Sequence, residues 1–538
     1  GLRTGSLRYQ GTSFALSPDG SHIAYVADTP EGTTRLYLRE RDELVPRAVD
    51  GTDGADSPFF SPDSRWVGYL AGHRLYKVPV DGGAPIPLAD SASGTLPSAA
   101  WSDHGEIAYT TLRFGIDLIS SDGGNSRPVT SGGFTAFPVV LPRQDLVLAT
   151  NCTNNCAQMR LIAAHPRTGA VDTLRSGIAR SWFLPPDLLV SVRQDGSVVG
   201  AHFDPASLRL SRTEVPLLTG VQLDLGVTPQ FALAGDGTAV YQAADSGGGN
   251  VTVVRVDRQG HTTVLDPAWR ANINTMALSP DGRRLAVSIA SGSRTDLWVK
   301  QLEAGPLTRL TFTGSLNYRP AWLPDGRSLI FSSDRAGSSW LYRLRADGSG
   351  QPERLLAGDT AQIDESLVSP DGQWLIYRAG VTDGVRDIFA RHLSGDTARV
   401  SLADSRFDEY MPTLSPDGRW LAYVSVESGQ EEVYVRPFPH ADRARFQIST
   451  QGGAQPLWSP DGRQLYYMSR DDSLIAVETS GTPEFHTGAR RTLFSTRGFA
   501  VQPFHQSYAV TPDGRGFIMF QPVLPAGGAN HDLIVVLN

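Results

Sequence analysis

Apolar residues along this chain come in short β-rich or alternating runs, each bounded by polar turns. Arg419-Trp-Leu-Ala-Tyr-Val424 and Arg327-Ser-Leu-Ile-Phe331 are typical, and both follow a turn of one kind. Ser-Pro-Asp-Gly stands at Ser17–Gly20, Ser279–Gly282, Ser369–Gly372, Ser415–Gly418 and Ser459–Gly462. Near copies begin at Ser61, Ser102, Ala234, Leu323 and Thr511, with weaker echoes at Leu141 and Leu184. Proline fixes φ, aspartate caps locally and glycine takes the left-handed position, so each copy is a tight turn between strands. After a polar loop comes a third strand, as in Leu36-Tyr-Leu38, Leu297-Trp-Val299 or Val433-Tyr-Val435. A second turn such as Asp81-Gly-Gly83 leads to a fourth, like Thr308-Arg-Leu-Thr311.

Four antiparallel strands recurring at about 45 residues form the blade of a β-propeller. One blade cannot bury both faces, so the units must stack around an axis. The expected fold is therefore all-β, with twelve four-stranded blades. The junction Val264–Thr275 between repeats six and seven shows no linker, and the last repeat stops after its third strand, Asp532–Leu537. Ser6-Leu-Arg-Tyr9 is placed to supply the missing outer strand. That reading favours a single ring over 1–538, closed by the N- and C-terminal strands, against two tandem six-bladed propellers at 1–268 and 269–538.

Composition supports the same picture: 55 glycines and 36 prolines suit many short strands and tight turns. Net charge is −8, and basic residues occur in nothing longer than pairs, so a nucleic-acid surface is not indicated. No apolar stretch approaches the roughly 20 residues of a membrane span. Gly1 is neither an initiator methionine nor the start of a secretion signal, so the chain reads as an excised or processed segment. Cys152 and Cys156 are the only cysteines; their spacing is too sparse for a structural zinc site and reads as a local disulfide in an oxidising compartment.

No catalytic motif stands in the sequence. There is no G-x-S-x-G elbow, no H-E-x-x-H pair and no kinase signature. The repetition of the Ser-Pro-Asp-Gly turns argues for folding chemistry rather than calcium binding, and the tryptophans at Trp66, Trp374 and Trp420 for packing between blades. No catalytic residue, cofactor or metal is expected. A ligand would meet the segments entering each innermost strand, which carry Arg180, Asn317, Tyr318, Arg319, Asp364, Glu365, Glu409, Tyr410 and Gln455. These are candidates for contact with a peptide, a glycan or a protein.

The repeats resemble the TolB-type (WD40-like) propeller repeats. Over nearly the whole chain, Phe407–Ser425, Glu432-Val-Tyr-Val-Arg-Pro-Phe438, Gly452–Gly462 and the ending Leu533–Asn538 also resemble one family. It is the C-terminal extracytoplasmic propeller of bacterial transmembrane serine/threonine kinases of the PknB-like kind. Repeats three to six are degenerate, and the kinase domain itself is absent. The resemblance implies a non-catalytic sensor or interaction module outside the bacterial cytoplasmic membrane. The alternatives are a free-standing TolB-like periplasmic scaffold and a propeller lyase or hydrolase with an axial site. A closed ring leaves no major sheet edge exposed, so a monomer is expected of the isolated chain.

Overall fold

A computed structural model of the protein describes residues 12–536 except 30–32, 44, 93–95, 112–114, 131–133, 142–144, 154–157, 225–226, 244–249, 292–293, 303–304, 315, 338, 357–362, 381–385, 395–397, 406, 482–483, 502–504 and 524–532. Among the described residues every regular element is a strand, and no helix forms. The strands make antiparallel sheets: ten of four strands, one of five, one of three and a two-stranded ribbon at Leu223–Asp224 and Thr228–Pro229.

The chain divides into two compact units. The first is Gly1–Gly248 together with Leu524–Asn538, and the second is Gly249–Val523. In the first unit the sheets open with the strands Phe14–Leu16, Asp56–Phe60, Ala99–Trp101, Phe134–Val140, Ile178–Leu184 and Phe231–Leu233. Each buries one face on the next. Val26 and Leu36 meet Val67 and Val78, Leu75 meets Ile107 and Tyr109, and Leu118 meets Val147 and Ile162. Leu148 then meets Leu189, and Val192 meets Phe231. Finally Ala232 and Val240 pack on Phe14 and Tyr25, which returns to the first sheet. The second unit closes in the same way, from Val287 against Phe520 round to Tyr466 and Leu474 against Val254 and Phe517. Each interface hides a dozen or so aliphatic and aromatic side chains, and each such side chain contributes roughly 1.5–3 kcal/mol.

A single ring of twelve is therefore corrected by the packing: each unit closes on itself through six sheets. The physical reason is an exchange of third strands. Sequence order assigns Val251–Asp257 to the repeat of the Ala234–Gly237 turn. It pairs instead with Gly516–Pro522, Val254 opposite Met519, and completes the last sheet of the second unit. Leu533–Val536 takes the vacated place beside Ala239–Gln242 in the first unit. The division thus falls at Gly248 and Gly249 rather than 268 and 269, with the C-terminal segment belonging to the first unit. Ser6–Tyr9, the expected outer strand, lies outside the described residues.

The turns behave as folding chemistry. Ser17 Oγ donates to Asp19 Oδ1 at 2.6 Å, the same oxygen accepts the Ser21 N–H at 3.0 Å, and Ser17 Oγ accepts the His22 N–H at 2.8 Å. The pattern repeats at Ser279 and Asp281 and at Ser459 and Asp461. Burial alone would raise Asp19, but the hydrogen bonds from Ser17 and Ser21 hold it at about 2. Trp420 and Trp374 pack as expected between neighbouring sheets, Trp420 at 5.0 Å from Phe485 and Trp374 at 5.7 Å from Phe438, while Trp66 meets Lys77 of its own sheet. Cys152 is buried and disulfide-bonded; Cys156 lies outside the described residues.

Candidate functional site

Within each unit the first strands of successive sheets touch one another, so they form its innermost layer. One register position recurs there, four residues ahead of each turn. It holds Ser13, Ser57, Ser98, Phe137, Arg180 and Gln230 in the first unit, and Thr275, Arg319, Glu365, Met411, Gln455 and Ser507 in the second. The backbone bulges near this position: Ser57, Phe137, Arg319, Met411 and Gln455 all have φ between 49° and 57°, and the pairing with the second strand shifts there. A bulge re-aims a side chain away from the plain alternation of a strand. Left-handed φ is uncommon for residues with a Cβ, and the closed packing holds it in place.

The second ring is cross-linked. The Arg319 N–H donates to Thr275 Oγ1 at 3.2 Å, the Met411 N–H to Glu365 Oε2 at 2.8 Å, and the Ser507 N–H to Gln455 Oε1 at 2.7 Å. Arg319 Nη1 stands 3.6 Å from Glu365 Oε1, and its Nε donates to His505 Nδ1 at 2.8 Å. Burial, reinforced by Arg319 and Arg378, keeps His505 well below the usual histidine range, so its ring is neutral and can accept that bond.

A cluster of charged groups adjoins the ring. Arg378 lies opposite Glu365 on the neighbouring strand and is fully buried. Its Nη2 reaches Asp408 Oδ2 at 2.5 Å, while its Nε and Nη1 have no hydrogen-bond partner among the described residues. Glu409 accepts a hydrogen bond from Ser405 on Oε1, and its Oε2 has none. Asp387 Oδ1 is likewise without a partner. Burial, then the charges of Asp387 and Asp408, push Glu409 up to about 8; burial, then Asp404 and Asp408, push Asp387 up to about 6. At neutral pH Glu409 is thus protonated and Asp387 lies close to its titration point.

The residues singled out from sequence fall into two groups. Asn317, Tyr318, Tyr410 and Gln455 are buried in the first strands and engaged by the fold. Asn317 Nδ2 donates to the carbonyls of Thr295 (3.2 Å) and Thr313 (3.1 Å), Tyr318 Oη meets Ser339 Oγ at 3.3 Å, and Tyr410 Oη donates to Glu431. Arg319, Glu365 and Glu409 come together in the charged cluster, and Arg180 belongs to the other unit. The Asp364 side chain lies outside what is described. Arg378 and Asp387 lie in a second and a third strand and carry no loop signal, whereas Asp408 and His505 lie in segments entering first strands and were passed over there. The fixed spacing ahead of the turns would have picked out Thr275, Met411 and Ser507. Among the described residues no group of three or more His, Cys, Asp or Glu side chains is placed to hold a metal ion, and no helix is long and apolar enough to cross a membrane.

Parts of the chain are similar in sequence to known proteins. The chain is 25% identical over 243 residues to the Tol-Pal system protein TolB of Francisella tularensis, covering 43% of this chain and 54% of that protein. It is 26% identical over 234 residues to dipeptidyl-peptidase 5 of Porphyromonas gingivalis, covering 40% of this chain but 32% of the peptidase. The chain thus spans about a third to a half of the length of these relatives. A solved structure, putative TolB from Agrobacterium tumefaciens, aligns over 51% of this chain and 99% of its own at 22% identity, with a TM-score of 0.40. The model of the TolB beta propeller domain (PD40) matches residues 223–418, so the repeats within that span are similar to the TolB type.

Proposed function

We propose that this chain is a non-catalytic, extracytoplasmic scaffold that binds a protein or peptide partner through the charged cluster beside the second unit's inner ring. The observation that carries the reading is the set of buried polar atoms left without partners: Arg378 Nε and Nη1, Asp387 Oδ1 and Glu409 Oε2. An unsatisfied buried donor or acceptor costs about 1–3 kcal/mol, and more when charged. These atoms are enclosed by the fold, so a ligand would complete their hydrogen bonds by displacing the packing that covers them. Donors and acceptors lie side by side, which fits a peptide segment offering both N–H and C=O groups. The likeness to a Tol-Pal system protein favours protein binding and a place outside the cytoplasmic membrane.

The run Phe407–Ser425 favours the same binding role within a receptor kinase, as its sensor. The peptidase relative supports no transfer of activity, because the shared region is 32% of that enzyme.

The test is partner capture from a bacterial envelope extract by the wild type and by Asp387→Asn and Glu409→Gln. Both substitutions keep shape and remove a titrating acceptor. Capture reduced about tenfold while the melting temperature does not fall supports the proposal. Undiminished capture, or turnover of a peptide substrate by the purified chain, contradicts it.

A further inference from the structure

The ring position that carries Arg319 in the second unit carries Arg180 in the first, and the surroundings differ in kind. Arg319 is answered by Glu365 at 3.6 Å and His505 at 2.8 Å. Arg180 has neither an ion pair nor a side-chain hydrogen bond among the described residues. Its companions around the ring, Ser13, Ser57, Ser98, Phe137 and Gln230, are all uncharged.

The donors nearby are already committed. Ser13 Oγ donates to Gln230 Oε1 at 2.8 Å, Ser57 Oγ to the Pro97 carbonyl at 2.7 Å, and Ser98 Oγ accepts the Phe137 N–H at 2.8 Å. Two carboxylates of this unit are engaged elsewhere: buried Asp56 accepts from Ser57 at 3.0 Å, and half-buried Asp224 from Gln230 Nε2 at 2.8 Å. Arg180 instead lies beside two aromatic rings, its guanidinium carbon 4.8 Å from the centre of Trp182 and 5.3 Å from that of Phe137. Aromatic faces attract a cation but accept none of its in-plane N–H bonds. Burial pulls Arg180 down to about 10, still charged at any physiological pH. Arg180 is partly exposed as a residue, while its charged end is set deep.

We infer that the first unit binds a carboxylate group at Arg180. A guanidinium offers a planar fork that matches a carboxylate through two parallel N–H···O bonds. The site supplies one positive charge, which balances a monoanion and leaves a phosphate dianion half-neutralised. Trp182 and Phe137 shield the pair from water and strengthen it. This site goes beyond the binding role proposed above. It uses the other unit and different residues, so the failure of one leaves the other standing.

The experiment is calorimetric titration of the full chain with N-acetyl-diglycine, its carboxamide, acetate and inorganic phosphate, for wild type, Arg180→Lys and Arg180→Gln. The acid should bind and the carboxamide should not. Arg180→Gln should lose affinity about tenfold or more, and Arg180→Lys should keep part of it, as a point charge without a fork. Without ligand, Arg180→Gln should melt no lower than wild type, because it removes an unpaired buried charge. Acid stronger than acetate assigns a peptide terminus, and equal binding assigns a free organic acid. Equal binding of acid and carboxamide, phosphate outranking the acid, affinity retained by Arg180→Gln, or a lower melting point for that variant would each overturn the inference.

Discussion

The ring of Pro512 lies 2.8 Å from the place a Cβ on Gly282 would occupy, so the second unit's last turn in sequence packs directly on its first. The same contact runs round the unit at wider spacing, Gly418 facing Pro370 at 3.8 Å, Gly462 facing Pro416 at 3.6 Å and Gly514 facing Pro460 at 3.7 Å. The tightest point is the closure itself. Gly282 also sits at φ 70°, a conformation that penalises any side chain.

Gly282→Ala should therefore carry two penalties, backbone strain and a clash with Pro512, together about 2–3 kcal/mol. Gly372→Ala, at φ 73° with open space around it, carries only the first, about 1 kcal/mol. Denaturant unfolding of the two variants should rank them in that order. Equal losses would mean the closing contact is looser than described.

The turn carboxylates are expected to matter for folding and not for ions. Asp417 accepts from Ser415 Oγ at 2.5 Å and from the Arg419 N–H at 3.1 Å. Asp417→Ala removes both bonds and should destabilise by about 1–2 kcal/mol. Millimolar calcium should leave the wild-type melting curve where it is. A calcium-dependent rise that the variant lacks would reassign the turn as an ion site.

The pH dependence of stability has a definite sign. Glu409 is raised to about 8 in the folded protein from an ordinary value of 4.5, through burial and then the charges of Asp387 and Asp408. A raised carboxyl stabilises fully below the unfolded value and loses that contribution as pH climbs through the folded one. Asp56, raised by burial to about 7, acts in the same direction. Asp19, held at about 2, acts oppositely, and its contribution is lost as pH falls below about 4. Stability should peak near pH 5 and decline toward pH 8, and Glu409→Gln should flatten that decline by roughly 2–4 kcal/mol. Thermal melts across this range decide it: an unchanged slope in Glu409→Gln would place the effect elsewhere.

The repeats were legible because a single turn chemistry punctuates them, and the strands around each turn alternate or run apolar. The pairing of Val251–Asp257 with Gly516–Pro522 was not legible. Val251–Asp257 and Leu533–Val536 are both short, β-branched and apolar, and nothing in either names its sheet. Of the site, Arg180, Arg319 and Glu365 could be found because they fall just ahead of recognisable turns. Arg378 reads as an ordinary strand residue, and only the register opposite Glu365 shows that it joins the cluster. Asn317 and Tyr318 read as loop residues next to Pro320, yet the bulge at Arg319 carries them into the interior.

The claim that each unit closes by itself is tested most directly by expressing residues 249–523 alone and following their thermal unfolding. This segment holds all six sheets of the second unit, including the pairing of Val254 with Met519. The account predicts a folded segment that melts in one cooperative transition and keeps its near-ultraviolet circular dichroism. A segment that stays unfolded or aggregates unless residues 1–248 are supplied would contradict it and restore a single ring.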